Sequence, residues 1–294
     1  MPYIGELSAI LTAFFWSGTS LAFASATHKI GSLQVNVNRL ILASVFLIVT
    51  IFVMGYSFDL SKSQFINLII SGVIGLVIGD SFLFKSYQLV GARISMLLMS
   101  LSPGMSAILA FVFLNERITT TGVLGIFITI AGIMLVVFEG SNGSKIKISG
   151  LGIFYGFIAA LGQAAGLIFA KYAFDEGHIT AFVATFVRIF SSVLIILPLA
   201  ILFNRYNNPF PKIKKDKSIL GSILLGTVLG PYLGITFSLI SIEYTKVGIA
   251  ATLMATPPII MLPMVRYIYK EKISWRAITG AVIAVAGVAL IFLS

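Results

Sequence analysis

The 294-residue chain contains no cysteine. Disulfides, thiol nucleophiles, thiolate zinc sites and iron–sulfur clusters are excluded together. Charge is scarce: Asp, Glu, Lys and Arg make up 10% of residues, against about 25% in a soluble domain. A chain this poor in charge cannot cover itself with a polar surface, which excludes a soluble enzyme. There are two histidines, His28 and His178. Neither stands in HxxxH or HExxH spacing, so no metal site is expected. No GxxxxGK[ST] phosphate loop occurs, so no direct use of ATP and no cofactor are expected.

What is present is apolar. Hydrophobic residues make up 58% of the chain, and the mean hydropathy is +1.05. That also excludes disorder, which needs low hydrophobicity and high charge. Ten apolar runs stand out: 4–26, 33–55, 65–88, 93–114, 119–138, 150–172, 179–203, 218–241, 247–268 and 274–293. Each has the roughly 20-residue length that a bilayer core requires of a helix. A barrel needs segments of about ten residues alternating in polarity, and these runs do not alternate. The reading is an all-α integral membrane protein with ten transmembrane helices and short connectors. The first run ends in Ala22-Phe23-Ala24-Ser25-Ala26, which resembles a cleavage site. However, the preceding residues carry no Lys or Arg and the run is too long for a signal peptide. It is read as a span.

The basic excess, 20 Lys+Arg against 10 Asp+Glu, lies mostly in the gaps between runs. It therefore reports membrane orientation rather than nucleic-acid binding. Lys62, Arg117, Lys171 and Lys246 fall on the side of the termini, while Arg39, Lys85 and Arg188 fall inside spans. That leaves thirteen of the twenty on the other side. The positive-inside rule then puts both termini outside the cell.

The chain also repeats itself. A shift of 155 residues aligns Met99-Ser100-Leu101-Ser102-Pro103 with Met254-Ala255-Thr256-Pro257-Pro258, and Glu116-Arg117-Ile118-Thr119 with Glu271-Lys272-Ile273-Ser274. Gly75, Gly79, Gly125 and Gly132 meet Gly230, Gly234, Gly280 and Gly287. A shorter shift aligns Arg39 with Arg188. Spans 1–5 thus recur as spans 6–10, giving repeats over 1–143 and 144–294. Five is odd, so the halves are expected to enter the membrane in opposite senses. Two inverted five-helix repeats are the plan of many secondary transporters, with the binding site near the midplane between them.

Phe15-Trp16-Ser17-Gly18, Arg39, Ser102-Pro103, the stretch from Phe113 to Thr119 and Ala131-Gly132, all weakly repeated in the second half, carry a family resemblance. The chain resembles the EamA-type members of the drug/metabolite transporter superfamily over its whole length. The resemblance implies a ten-span membrane carrier, and with no organelle address in the sequence the expected location is the plasma membrane of a prokaryote. It implies transport, commonly export, of small metabolites such as amino acids, and both termini inside, against the charge count. The second half departs from the family pattern at Gln163, often Trp, and at Tyr269-Lys270, often Leu-Gly.

Charge inside a span is expensive, at least about 2.5–3.5 kcal/mol on insertion scales, so such residues lead the candidates. Asp80 lies in mid-span 3 and is expected to contact substrate, to couple a proton or cation, or to pair with Arg39. Lys85 stands about 140° further round the helix, too far to share a face with Asp80. It is either a substrate contact or a snorkelling interfacial lysine. Arg39 and Arg188 occur at matching places in both halves. They are expected to cap carbonyls or pair with an acid, or else to bind a substrate carboxylate. Glu116 and Glu271 are expected to fix the short turns they occupy. Trp16, Gln163, Tyr232, Ser100 and Thr256 complete the expected pocket. Pro103 and Pro258 share one repeat position and are expected to shape hinges or a cavity. The expected partners are membrane lipid and a small-molecule substrate. The rival readings are a lipid or prenyl-phosphate flippase and a channel.

Overall fold

The computed structural model describes residues 3–113, 119–143, 149–244, 250, 253–268, 270 and 273–292. Glu116 and Glu271 lie outside them. Helix α1 (Ile4–Ile30) turns back into α2 (Ser32–Met54) through the single residue Gly31. Its φ of 100° favours glycine, and an added Cβ would meet Gln34 Oε1 at 2.5 Å. Helix α3 (Lys62–Gly72) starts on a capping box of Ser61 and Gln64. It runs through a π-helical segment, Val73–Gly79, into α4 (Asp80–Met99). α4 kinks at Gly91 (φ 78°), where the third and fourth apolar runs meet. Then follow α5 (Leu101–Phe113), α6 (Thr120–Gly143), α7 (Gly150–Asp175) and α8 (Ala181–Leu202). The short α9 (Phe210–Lys215) leads into α10 (Lys217–Thr227), a second π-helical segment Val228–Gly234, and α11 (Ile235–Tyr244). Helices α12 (Pro257–Ile268) and α13 (Trp275–Phe292) follow.

Among the described residues, six helical runs are long and apolar enough to span a membrane, and four shorter apolar helices accompany them. Two of the short ones arise because the fourth and ninth runs are interrupted, at Ser100 and at Ala255–Thr256. The cause is chemical. Pro103, Pro257 and Pro258 have no N–H to donate one turn back. Near the second break the Thr256 hydroxyl donates to Leu253 O instead, at 2.7 Å. The two π-helical segments are offset by 155 residues, from Val73 to Val228, so the repeat extends to local helix geometry.

Packing follows the small residues, as it must where lipid is as apolar as leucine and close van der Waals approach holds helices together. α6 crosses α13 on glycine. A Cβ on Gly125 would stand 2.6 Å from Gly287 O, and one on Gly132 would stand 2.7 Å from Gly280 O. Gly125 faces the later glycine and Gly132 the earlier, so the two helices run antiparallel. Gly162 and Gly166 of α7 approach Gly79 and Gly75 in the same manner, and Ser71 Oγ donates to Gly166 O. The glycines of the second π-helical region receive α1: Thr19 sits at Gly230, Trp16 at Gly234 and Phe23 at Gly226. α2 packs on α8 through Leu40, Leu47, Ile189 and Ile196. Large apolar side chains such as Phe52, Phe127, Leu194 and Ile201 face outward, the surface that a lipid solvent requires.

Candidate functional site

The helices enclose a cavity of about 790 Å³. The π-helical segment before α4 aims its first charged residue into it. Asp80 N–H donates to Gly75 O, five residues back. The wider turn rotates the carboxylate towards α2 and α7 and leaves the Leu76 carbonyl for Asn36 Nδ2, at 3.1 Å. Asp80 Oδ2 forms an ion pair with Arg39. Asp80 Oδ1 accepts from Gln163 Nε2 at 2.7 Å, which also donates to Gly75 O at 3.2 Å. Arg39 Nε donates to Asn36 Oδ1 at 3.0 Å. Its guanidinium lies over Phe84, 4.7 Å from the ring centroid, with Phe23 at 5.7 Å. Both charges are nearly sealed, Arg39 and Asp80 each 5% exposed. A buried pair persists when its geometry and extra hydrogen bonds offset desolvation, and Gln163, Asn36 and the two rings supply those contacts.

The expected site residues separate into two groups. Trp16, Arg39, Asp80, Ser100, Pro103, Gln163, Arg188 and Pro258 all line the cavity. Ser100 Oγ and Ser106 Oγ are buried in the wall without a hydrogen-bond partner. Lys85, Tyr232 and Thr256 are not among its lining. Lys85 is exposed and borders a separate depression with Gln34, Gln88 and Arg205. The Tyr232 hydroxyl is 2.8 Å from Thr50 Oγ1, and its ring meets Phe46 edge-on. The Thr256 hydroxyl is spent on Leu253 O. Sequence reasoning missed Phe23, Phe84 and Tyr87, which wall the Arg39 end, because mid-span aromatics look alike in a linear sequence. It also missed Lys171, which lines the cavity from α7.

The lining runs lengthwise. At one end lie Tyr87 and Met96, beside the Gly91 kink. At the other lie Asp175, the last residue of α7, and Gly177 and His178 in the connection to α8. Polar contacts join neighbouring elements at the Gly91 end. Gln88 Nε2 donates to Thr27 O at 2.6 Å, and Lys212 Nζ donates to Lys29 O at 3.2 Å. Lys29 pairs with Asp216 at 2.7 Å, and this exposed contact holds the Asp216 carboxyl down at about 2.

Apolar spans, repeated helix interruptions and an internal cavity carrying a buried ion pair define a multi-pass membrane protein with a cavity among its helices. A profile of the EamA-like transporter family matches residues 3–138 and again 150–293. The chain belongs to the EamA-like transporter family. It is similar to the uncharacterized transporter YetK of Bacillus subtilis (strain 168), 23% identical, with 98% of this chain and 90% of that one covered. It is also similar to an uncharacterized transporter of Archaeoglobus fulgidus, 19% identical over 98% and 97% of the two chains. The uncharacterized transporter YyaM of B. subtilis is 32% identical, but the match spans only 34% of this chain and 32% of that one. A solved crystal structure shares the fold, with a TM-score of 0.70 at 17% identity, covering 98% of this chain and 96% of the other. The protein is thus a multi-pass membrane transporter, and its relatives place it in a prokaryotic plasma membrane.

Proposed function

We propose that this transporter is a secondary carrier that exports a small organic metabolite, an amino acid or a related compound, by alternating access. The observation that carries this reading is the cavity, which is lined by residues of both repeats. Asp80, Gln163, Trp16 and Ser100 contact the substrate or set the charge beside it. Pro103 and Pro258, beside the paired interruptions, act as the hinges through which the halves rock. The antiparallel crossing of α6 and α13, which occupy equivalent places in the repeats 1–143 and 144–294, supports inverted halves, and such halves rock around a shared midplane site. Tight packing on either side of the hinges favours two discrete arrangements over gradual deformation.

The test is counterflow in proteoliposomes. Vesicles loaded with one unlabelled amino acid at a time are offered the same compound in labelled form, with and without a proton gradient. Saturable accumulation above the outside concentration supports the carrier. Non-saturating flux points to a channel, and activity confined to prenyl phosphates points to a flippase. Either result removes the proposal.

A further inference from the structure

The repeat makes a specific mismatch visible. In the first half Arg39 pairs with Asp80. Arg188 is the counterpart of Arg39, and the 155-residue offset of the π-helical segments puts Ile235 where Asp80 would stand. Ile235 lines the cavity and has no charge to offer. Arg188 is nonetheless buried, 6% exposed, and its Nε has no hydrogen-bond partner. Its Nη2 lies against Gly75, 3.6 Å from where a Cβ would be, an ordinary packing contact. Asp80 acts on it only at longer range, without a hydrogen bond. Arg39, Asp80 and Arg188 are the charged side chains buried among the described residues, and together they leave one positive charge uncompensated. Such a charge inside a membrane protein needs a partner.

We infer that Arg188 is the anion subsite of the cavity, binding a single oxyanion, a carboxylate, on the transported molecule. The inference rests on the carrier reading and names its substrate class. The planar guanidinium fork matches a carboxylate edge. One negative charge neutralises the buried set, whereas a doubly ionised phosphate monoester would overshoot it. Met99, Leu167 and Leu239 of the cavity wall suit an apolar body behind the charged group.

The test takes the purified full chain in detergent and four probes with a common ring: 3-phenylpropionate, phenylalanine, phenethylamine and phenyl phosphate. Binding to the folded state raises the melting temperature. Saturable stabilisation is expected with 3-phenylpropionate and phenylalanine but not with phenethylamine. It should weaken at least tenfold in Arg188→Gln and recover in part in Arg188→Lys. Ile235→Asp restores the acid that the second half lacks. It should abolish carboxylate binding while raising the melting temperature of the empty protein, and this variant decides the matter if Arg188→Gln does not fold. Tighter Arg188-dependent binding of phenyl phosphate overturns the carboxylate assignment in favour of phosphate. Full carboxylate binding in Ile235→Asp, or no Arg188-dependent stabilisation by any probe, overturns the subsite. Neither result touches the carrier reading, which stands or falls on counterflow.

Discussion

Asp80→Asn separates the charge of the buried pair from its shape. Asn is nearly isosteric, so the cavity keeps its volume and Gln163 keeps an oxygen to donate to. What disappears is the negative charge beside Arg39, itself 5% exposed. Breaking a buried pair from one side costs about 3–5 kcal/mol, because the other charge stays buried and uncompensated. The lower end applies here, since the Asn oxygen still accepts a hydrogen bond and Phe84 still lies 4.7 Å beneath the guanidinium. At roughly 2 °C per kcal/mol for a large chain, the melting temperature should fall by about 6 °C. The assay is a thermal melt in detergent of wild type, Asp80→Asn, Arg39→Gln and the double variant. In the double variant both charges are gone, so it should be more stable than the two single losses summed, by about 0.5–3 kcal/mol of coupling. Additive losses, or an Asp80→Asn melt within a degree of wild type, would refute the claim that this ion pair holds α2 to α4.

Gly132→Val should separate α6 from α13, because its Cβ would stand 2.5 Å from Ala284 N, a backbone atom that cannot rotate away. A loss of about 1–3 kcal/mol is expected by melting. Gly221→Ala, on a helix face with nothing within 4 Å, should instead be neutral or gain up to about 1 kcal/mol. Tyr232→Phe removes a hydroxyl whose hydrogen-bond partner among the described residues is Thr50 Oγ1, so the KM for counterflow should stay within twofold of wild type; a larger change would put Tyr232 in the substrate path. At the exposed end, Asp216 titrates near 2, held down first by the hydrogen bond from Lys29 and then by Ser218. Because its pKa is depressed on folding, the contribution of the Lys29–Asp216 tie is present above about pH 4 and lost as pH falls through 2. Carboxyl carbon NMR of labelled aspartate should show that midpoint, and Lys29→Ala should raise it towards the ordinary aspartate value of 3.8.

Much of the architecture is legible along the chain. Runs of apolar residues and their punctuation mark the helices, and the duplicated Met99–Pro103 and Met254–Pro258 stretches foretell two matched interruptions. Asp80, Arg39, Arg188, Gln163, Trp16 and Ser100 stand out as polar or aromatic groups inside spans, and the fold gathers them around one cavity. Lys85, Tyr232 and Thr256 stand out by the same criterion, yet they lie elsewhere. The criterion registers depth in the membrane but not the direction of a side chain, and Lys85 points away from the face that Asp80 shares with Arg39.

The apolar runs and membrane residence follow from composition summed over about 20 neighbouring residues, and the two-fold repeat from aligning one half of the chain on the other, so the linear chain suffices for them. The site depends on contacts between distant segments. Arg39 and Asp80 are 41 residues apart, and Gln163 and Asp80 are 83 apart. Glycine seams and two π-helical segments decide which helix faces meet, and so which buried charges find partners. Asp80 answers Arg39 where Val73–Gly79 turns it inward, and at the matching place of the second half stands Ile235, so Arg188 finds no acid there among the described residues.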